Sequence, residues 1–136
     1  MGKLTVNVDG GARGNPGPAA IGVVVRNGDG AVVEQVGETI GQATNNVAEY
    51  RALLRGIELA RVHGATDLEL IGDSELVVRQ VEGRYKVKNA GMKELHAEAV
   101  GALREFDSWS ISHVRRESNA DADRLVNAAL DGALDG

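Results

Sequence analysis

The chain has 136 residues and a net charge of −5 at pH 7, so a single domain spanning 1–136 is expected, given the usual domain size of roughly 100–150 residues. Without cysteine it has no disulfides, thiolate nucleophiles or Cys-ligated metal centres, and its acidic balance argues against a coat that holds nucleic acid by bulk positive charge. No apolar run approaches the about 20 residues of a membrane span and no basic-then-apolar leader opens the chain, so a cytoplasmic protein with no membrane partner is expected.

Residues 3–9 alternate, with Leu4, Val6 and Val8 on one face and Thr5, Asn7 and Asp9 on the other, the period of a half-buried strand. DGGARGNPGP (9–18) reads as a turn. A second strand follows over 19–27, a short turn over 28–30, and a third strand over 31–40, together an antiparallel meander. Residues 46–62 change to helical spacing, with Tyr50, Leu53, Leu54, Ile57 and Arg61 on one stripe, and Gly64 stops the helix. Then come a strand at 67–72, a short helix at 74–82, a loop at 83–89, a helix at 90–106, a strand at 108–114 and a last helix at 119–131. The final 131–136 read as a frayed tail or the start of a linker. The order β-β-β-α-β-α-α-β-α predicts an α/β fold with a mixed five-stranded sheet, antiparallel over strands 1-2-3 and parallel over 1-4-5, flanked by helices.

Four carboxylates fall at the edges of these elements. Asp9 and Asp73 end strands one and four, and parallel neighbours collect ligand sites at their carboxyl ends. Glu49 and Asp123 sit in the first turns of two helices, where the helix dipole favours the ionised form. Converging, the four could hold a pair of hard cations. Each also has a plainer reading. Asn46 to Glu49 and Ser118 to Asp121 have capping spacing, Asp73 could lead into a helix, Asp9 could be a turn residue, and Asp123 could be a dipole partner. Spacing alone leaves these alternatives open.

Four segments carry a resemblance. VDGGARGNPGPAAIG (8–22), TNNVAEYRALLRGIELA (44–60), IGDSELVVRQVEG (71–83) and HVRRESNADADRLVNAAL (113–130) resemble, in order, the four blocks of the type 1 ribonuclease H family. That resemblance implies an endoribonuclease that hydrolyses the RNA strand of RNA–DNA hybrids, with double-stranded RNA as a further candidate partner. It implies two Mg²⁺ or Mn²⁺ ions held by Asp9, Glu49, Asp73 and Asp123, and products with 3′-hydroxyl and 5′-phosphate ends. Asp123 is chosen over Asp121 on the match Ala122, Asp123, Leu125, Asn127. The resemblance also implies substrate contacts. Backbone groups of Gly10 and Gly11, with Arg13 and Asn15 on the same loop, would read the 2′-hydroxyl. Asn45, Asn46 and Glu75 would touch the hybrid, and Thr44 a DNA-strand phosphate. A monomer is expected.

Two departures from the family pattern stand out. The connection at 83–89 is too short for the basic protrusion that some members carry, yet Arg84, Lys86 and Lys88 concentrate charge there and are candidate phosphate contacts, or else a solvated surface run. The loop before the last helix lacks the assisting His of other members. Arg116 matches the Arg of the shorter-loop pattern and is the candidate substitute, with Arg115 and Glu117 as alternatives, while His113 reads as structural. Two competing readings are a non-catalytic hybrid- or double-stranded-RNA-binding module on the same fold, and a DNA nuclease or strand-transferase. Four mutually repelling acids argue against the first, and the glycine loop and Asn pair against the second.

Overall fold

The computed structural model describes residues 2–135. Five strands form one sheet: β1 (Lys3–Ala12), β2 (Gly17–Arg26), β3 (Val32–Ala43), β4 (Asp67–Gly72) and β5 (Ser108–His113). Four helices accompany them: α1 (Asn45–Val62), α2 (Glu75–Val81), α3 (Ala90–Leu103) and α4 (Ala120–Asp135), the last preceded by a 3₁₀ turn at Arg116–Asn119. The strand order is β3-β2-β1-β4-β5. β1 pairs antiparallel with β2, β2 antiparallel with β3, and β1 and β5 each pair parallel with β4. This is the mixed sheet expected from the sequence. No helix among the described residues is long and apolar enough to cross a membrane.

The alternation in β1 decides how the layers form. Val6 and Val8 join Ile21, Val23, Val25 and Leu70 in a core closed by Tyr50, Leu53 and Ile57 of α1 and by Leu103 of α3. On the opposite face Ala20 packs against Val126 and Leu130 of α4. Asn7 and Asp9 project from β1 on the α4 side and are still buried. Arg61 lies on the apolar stripe of α1 but is exposed, its guanidinium reaching Glu105 at 3.3 Å.

Several boundaries differ from expectation. The glycine-rich run is not all turn. β1 continues through Gly10 and Gly11 to Ala12, paired with Ile21, Ala20 and Ala19 of β2, so that only residues 13–16 form the connection. Glycine reads as a breaker in sequence, but Gly10 serves close approach: a Cβ there would lie 2.2 Å from the carbonyl oxygen of Ala48 in α1. Gly22, the partner of Asp9 in β2, does the same for α4, since a Cβ would lie 2.2 Å from the Ala122 carbonyl oxygen. The tail is also different. α4 runs to Asp135 instead of fraying from 131, and Gly136 lies outside the described residues.

The Gly10 contact is backbone to backbone and has no rotamer to relieve it. Gly10→Ala is expected to push α1 off β1 and to cost about 1–3 kcal/mol, the usual range for overpacking. Chemical denaturation measures this, and a loss under about 0.5 kcal/mol, within the range of neutral surface changes, would mean that the helix can move freely.

Candidate active site

The parallel ladder of β1 with β4 ends at the pair Val8 and Gly72. Asp9 and Asp73 are the next residue on each strand, so the two acids stand side by side just past the last rung. Asp9 is therefore at the end of the parallel ladder but inside β1, whose pairing with β2 continues. Asp73 is not needed as a helix lead-in, because Ser74 caps α2 by accepting from the Val77 N–H at 3.3 Å.

Glu49 comes in from above on α1. The cap of that helix is Thr44, which accepts from the Val47 N–H at 3.2 Å, so neither Asn46 nor Glu49 caps it. Glu49 is the fifth residue of the helix and lies beyond the first turn. Its Oε1 instead accepts from the Gly10 N–H at 3.1 Å, tying α1 to β1 at the point where glycine lets them meet. One carboxylate oxygen from each of Asp9, Glu49 and Asp73 lies within 4.8 Å of the other two. Asp123, from the first turn of α4, lines the same cleft outside this group of three, near enough to raise the Asp9 carboxyl. Asn127, one turn further along, donates from Nδ2 to the Asp123 carbonyl at 3.1 Å and to its Oδ2 at 3.3 Å, holding the carboxylate in place.

The electrostatics are those of acids crowded out of water. Burial, reinforced by the Asp73 carboxylate and then by Asp123, pushes the Asp9 carboxyl up from 3.8 to about 7, against a smaller opposing pull from its bond to Glu49. Burial, followed by the Asp9 charge, holds Glu49 well above its ordinary 4.5 despite the Gly10 N–H. The helix-terminus effect expected to favour the ionised form of Glu49 does not dominate here. Glu49 sits one turn too far along for the dipole, and desolvation outweighs what remains. Asp73 Oδ2 is buried with no hydrogen-bond partner among the described residues. A buried carboxylate oxygen left bare is costly, and the clustered carboxylates of Asp9, Glu49 and Asp73 form an all-oxygen set suited to a hard divalent cation.

These acids line an open cleft of about 450 Å³. Gly10, Gly11 and Arg13 form one wall, Asn45 and Asn46 the next, and Arg116 projects from the 3₁₀ turn. Of the other residues singled out in the sequence, Asn15 and Thr44 support the cleft without lining it. Asn15 Oδ1 accepts from the Asn45 N–H at 3.0 Å, and Asn45 Oδ1 accepts from the Ala12 N–H at 2.8 Å, so the two asparagines brace the loop against α1. Thr44 spends its hydroxyl oxygen on the helix cap. Glu75 is exposed at the start of α2, beside the cleft residue Ser74 and outside the cleft itself. Arg84, Lys86 and Lys88 are exposed on the loop between α2 and α3, also outside the cleft. The Lys86 carbonyl is held by Gln80 Nε2 at 3.3 Å.

Asp121 points away from the acids. Its Oδ2 meets Arg26 at 2.5 Å, so Ser118 and Asp121 do not form the expected capping box. Sequence reasoning left Asp131 and Asn127 without roles. Asp131 pairs with Arg13 at 2.6 Å across the cleft rim, a contact no local pattern announces. Asn127 could have been found from its i,i+4 spacing to Asp123 on one helix face.

A five-stranded sheet in this order, with carboxylates brought in from two strand ends and two helices, is a fold of the ribonuclease H type. The sequence profile described as "Reverse transcriptase-like" matches residues 7–129. The ribonuclease HI of Halobacterium salinarum is 47% identical over 132 residues, which cover 97% of this chain and 66% of that protein. The bifunctional protein Rv2228c of Mycobacterium tuberculosis is 44% identical over 96% of this chain but only 36% of its own length. The ribonuclease H of Marinobacter nauticus is 34% identical over 95% of both chains. Among solved structures, the Halobacterium enzyme superposes with a TM-score of 0.94 at 46% identity, over 96% of this chain and 99% of that one. LC11-RNase H1, solved in complex with an RNA/DNA hybrid, gives 0.91 at 44% identity, over 96% and 99%. The chain belongs to the ribonuclease H family. It spans about two thirds or less of the length of these first two relatives.

Proposed function

We propose that this chain is an endoribonuclease that hydrolyses the RNA strand of RNA–DNA hybrids with a pair of divalent ions, Mg²⁺ or Mn²⁺, leaving 3′-hydroxyl and 5′-phosphate ends. The observation that carries this reading is the clustering of Asp9, Glu49 and Asp73 within 4.8 Å of one another, one of them, Asp73, with a buried oxygen that has no hydrogen-bond partner among the described residues. Asp123, which faces Asp9, is the fourth ligand. The hybrid-bound relative supports the substrate.

Two ions held by these four residues would supply an activated water and neutralise charge at the leaving 3′ oxygen. The chain supplies the rest. Gly10, Gly11, Asn45 and Asn46 give the cleft a wall of backbone and amide groups suited to a minor groove and its 2′-hydroxyls. Asn15 and Thr44 hold that wall rigid. Arg13 and Arg116 give the cleft positive charge for phosphates, Arg116 from the side of α4. Glu75 would meet the RNA strand where it leaves the cleft. Asp9, Glu49, Asp73 and Asp123 all line one cleft of a single chain, which supports action as a monomer.

Gel analysis of labelled hybrid, double-stranded RNA and duplex DNA, each with Mg²⁺, Mn²⁺ or chelator, tests the proposal. Hybrid cleavage that chelator abolishes is expected, with duplex DNA untouched and the double-stranded RNA lane measuring any second substrate. Tight hybrid binding without cleavage in either metal would instead establish a binding module.

The basic loop has its own signature. Neutralising Arg84, Lys86 and Lys88 together is expected to raise KM for hybrid and leave kcat unchanged, the mark of lost uniform binding. Each lost phosphate contact should lower the slope of log affinity against log salt by roughly 0.9 on a B-like duplex. A salt titration that overlays the parent curve would return the loop to a solvated surface.

A further inference from the structure

Asn119 is the residue of the fourth block that the chemistry above leaves unused. It is 1% exposed, at the junction of the 3₁₀ turn and α4. Its Nδ2 donates to the Val8 carbonyl at 2.9 Å, and its Oδ1 accepts from Asn7 Nδ2 at 3.0 Å. Asn7 Oδ1 in turn accepts from Arg26 Nη1 at 3.0 Å, and Arg26 closes the chain on Asp121 of α4. A run of polar side chains thus stitches the start of α4 to β1 and β2 through a buried region.

The position of this stitch is what matters. The Val8 carbonyl belongs to the peptide that leads into Asp9, at the last rung of the ladder with β4. Asn119 lies four residues, about one helical turn, before Asp123. One side chain therefore ties the backbone that carries one acid to the helix that carries the other. Gly22 permits α4 to come this close but sets no register. The Asn119 amide does, because its donor and acceptor must both be met in a buried site.

We infer that Asn119 is a positioning residue that sets the distance between Asp9 and Asp123 and so the affinity of the acidic site for divalent cations. The inference rests on the reading of these acids as metal ligands. Outer residues that orient metal ligands typically change metal affinity by 10–100-fold, whereas a residue that only stabilises the fold leaves the affinity of the folded protein alone.

Calorimetric titration of the folded, substrate-free protein with Mn²⁺ separates the two roles. Asn119→Ser, which keeps the charge and removes both donor and acceptor reach, is expected to weaken Mn²⁺ binding about tenfold or more. KM for hybrid should stay put, and kcat should recover in excess Mn²⁺. On an Asp123→Asn background the same change should add nothing, because it acts through Asp123. An unchanged Mn²⁺ affinity in Asn119→Ser, or an equal further loss on the Asp123→Asn background, overturns the positioning role. If Asn119→Ser does not fold, Asn7→Ser removes the donor that orients the Asn119 amide and is read the same way, with unchanged affinity again overturning the inference. A parent protein that binds no Mn²⁺ overturns the metal-site reading together with the inference, whereas a parent that binds while both variants match it overturns the inference alone.

Discussion

Asp9→Asn is expected to abolish hybrid hydrolysis and, at the same time, to raise the melting temperature of the metal-free protein at alkaline pH. The first effect follows from removing a charged ligand at the centre of the cluster, and Asp73→Asn should match it in activity. The second follows from linkage. In the unfolded chain Asp9 releases its proton near 3.8, and in the folded one near 7. Between those values the native state holds a proton that the unfolded state has lost, so stability falls as pH rises through the window and stays low above it. Asparagine cannot ionise and removes that part of the slope, on the order of 4 kcal/mol above pH 7. Melting curves of both proteins in chelator at pH 4, 6 and 8 should coincide at the acid end and separate at the alkaline end. Parallel curves, or more than a few per cent of residual activity in Mg²⁺, would remove Asp9 from the centre of the site.

The second large effect is a contrast between two acids two residues apart. Asp123→Asn is expected to lose nearly all activity, and Asp121→Asn very little. Neighbours at that spacing on a helix point about 200° apart, and the structure divides them accordingly. Asp123 lines the cleft under the hold of Asn127, while Asp121 reaches out to Arg26. The Asp121 side chain is 50% exposed in that ion pair, and exposed pairs contribute about 0–1 kcal/mol, so its loss should barely move the melting temperature. Steady-state rates of the two variants decide the matter, and the reverse ranking would shift the register of the whole last helix relative to the site.

The elements and their order were legible because period 2 and period 3.6 are written into the apolar residues. Val6, Val8, Leu53 and Ile57 go to the core that their spacing indicates. Of the four acids singled out by their motifs, Asp9, Glu49 and Asp73 cluster, although Asp9 lies inside β1 and Glu49 beyond the first turn of α1. What could not be read was tertiary. Gly10 and Gly11 look like turn residues, because the backbone of α1 that needs the missing Cβ at Gly10 is 38 residues away in sequence. Asn46 looked like a cap, but Thr44, two positions earlier, has the hydroxyl in the right place. The upward shift of Glu49 has the same origin, since burial is a property of packing and leaves no local trace.

The parallel pairing of β1 with β4 has a kinetic side. Asp9 and Asp73 are separated by 64 positions, the same span as the Thr5–Glu69 bond of the adjoining ladder. The β1-β2-β3 meander can zip through short connections, but the cluster exists only after that long loop has closed around α1. Repulsion among the carboxylates is thus felt late, when most of the fold is already in place and can hold them. A divalent ion that binds only the finished arrangement stabilises it by mass action, by about 2.7 kcal/mol at a hundredfold excess over its dissociation constant. If the cluster is still open in the folding transition state, that gain falls mainly on the unfolding rate. On the proposed metal-dependent reading, the ion that serves the chemistry would thereby also act as a latch on the native state.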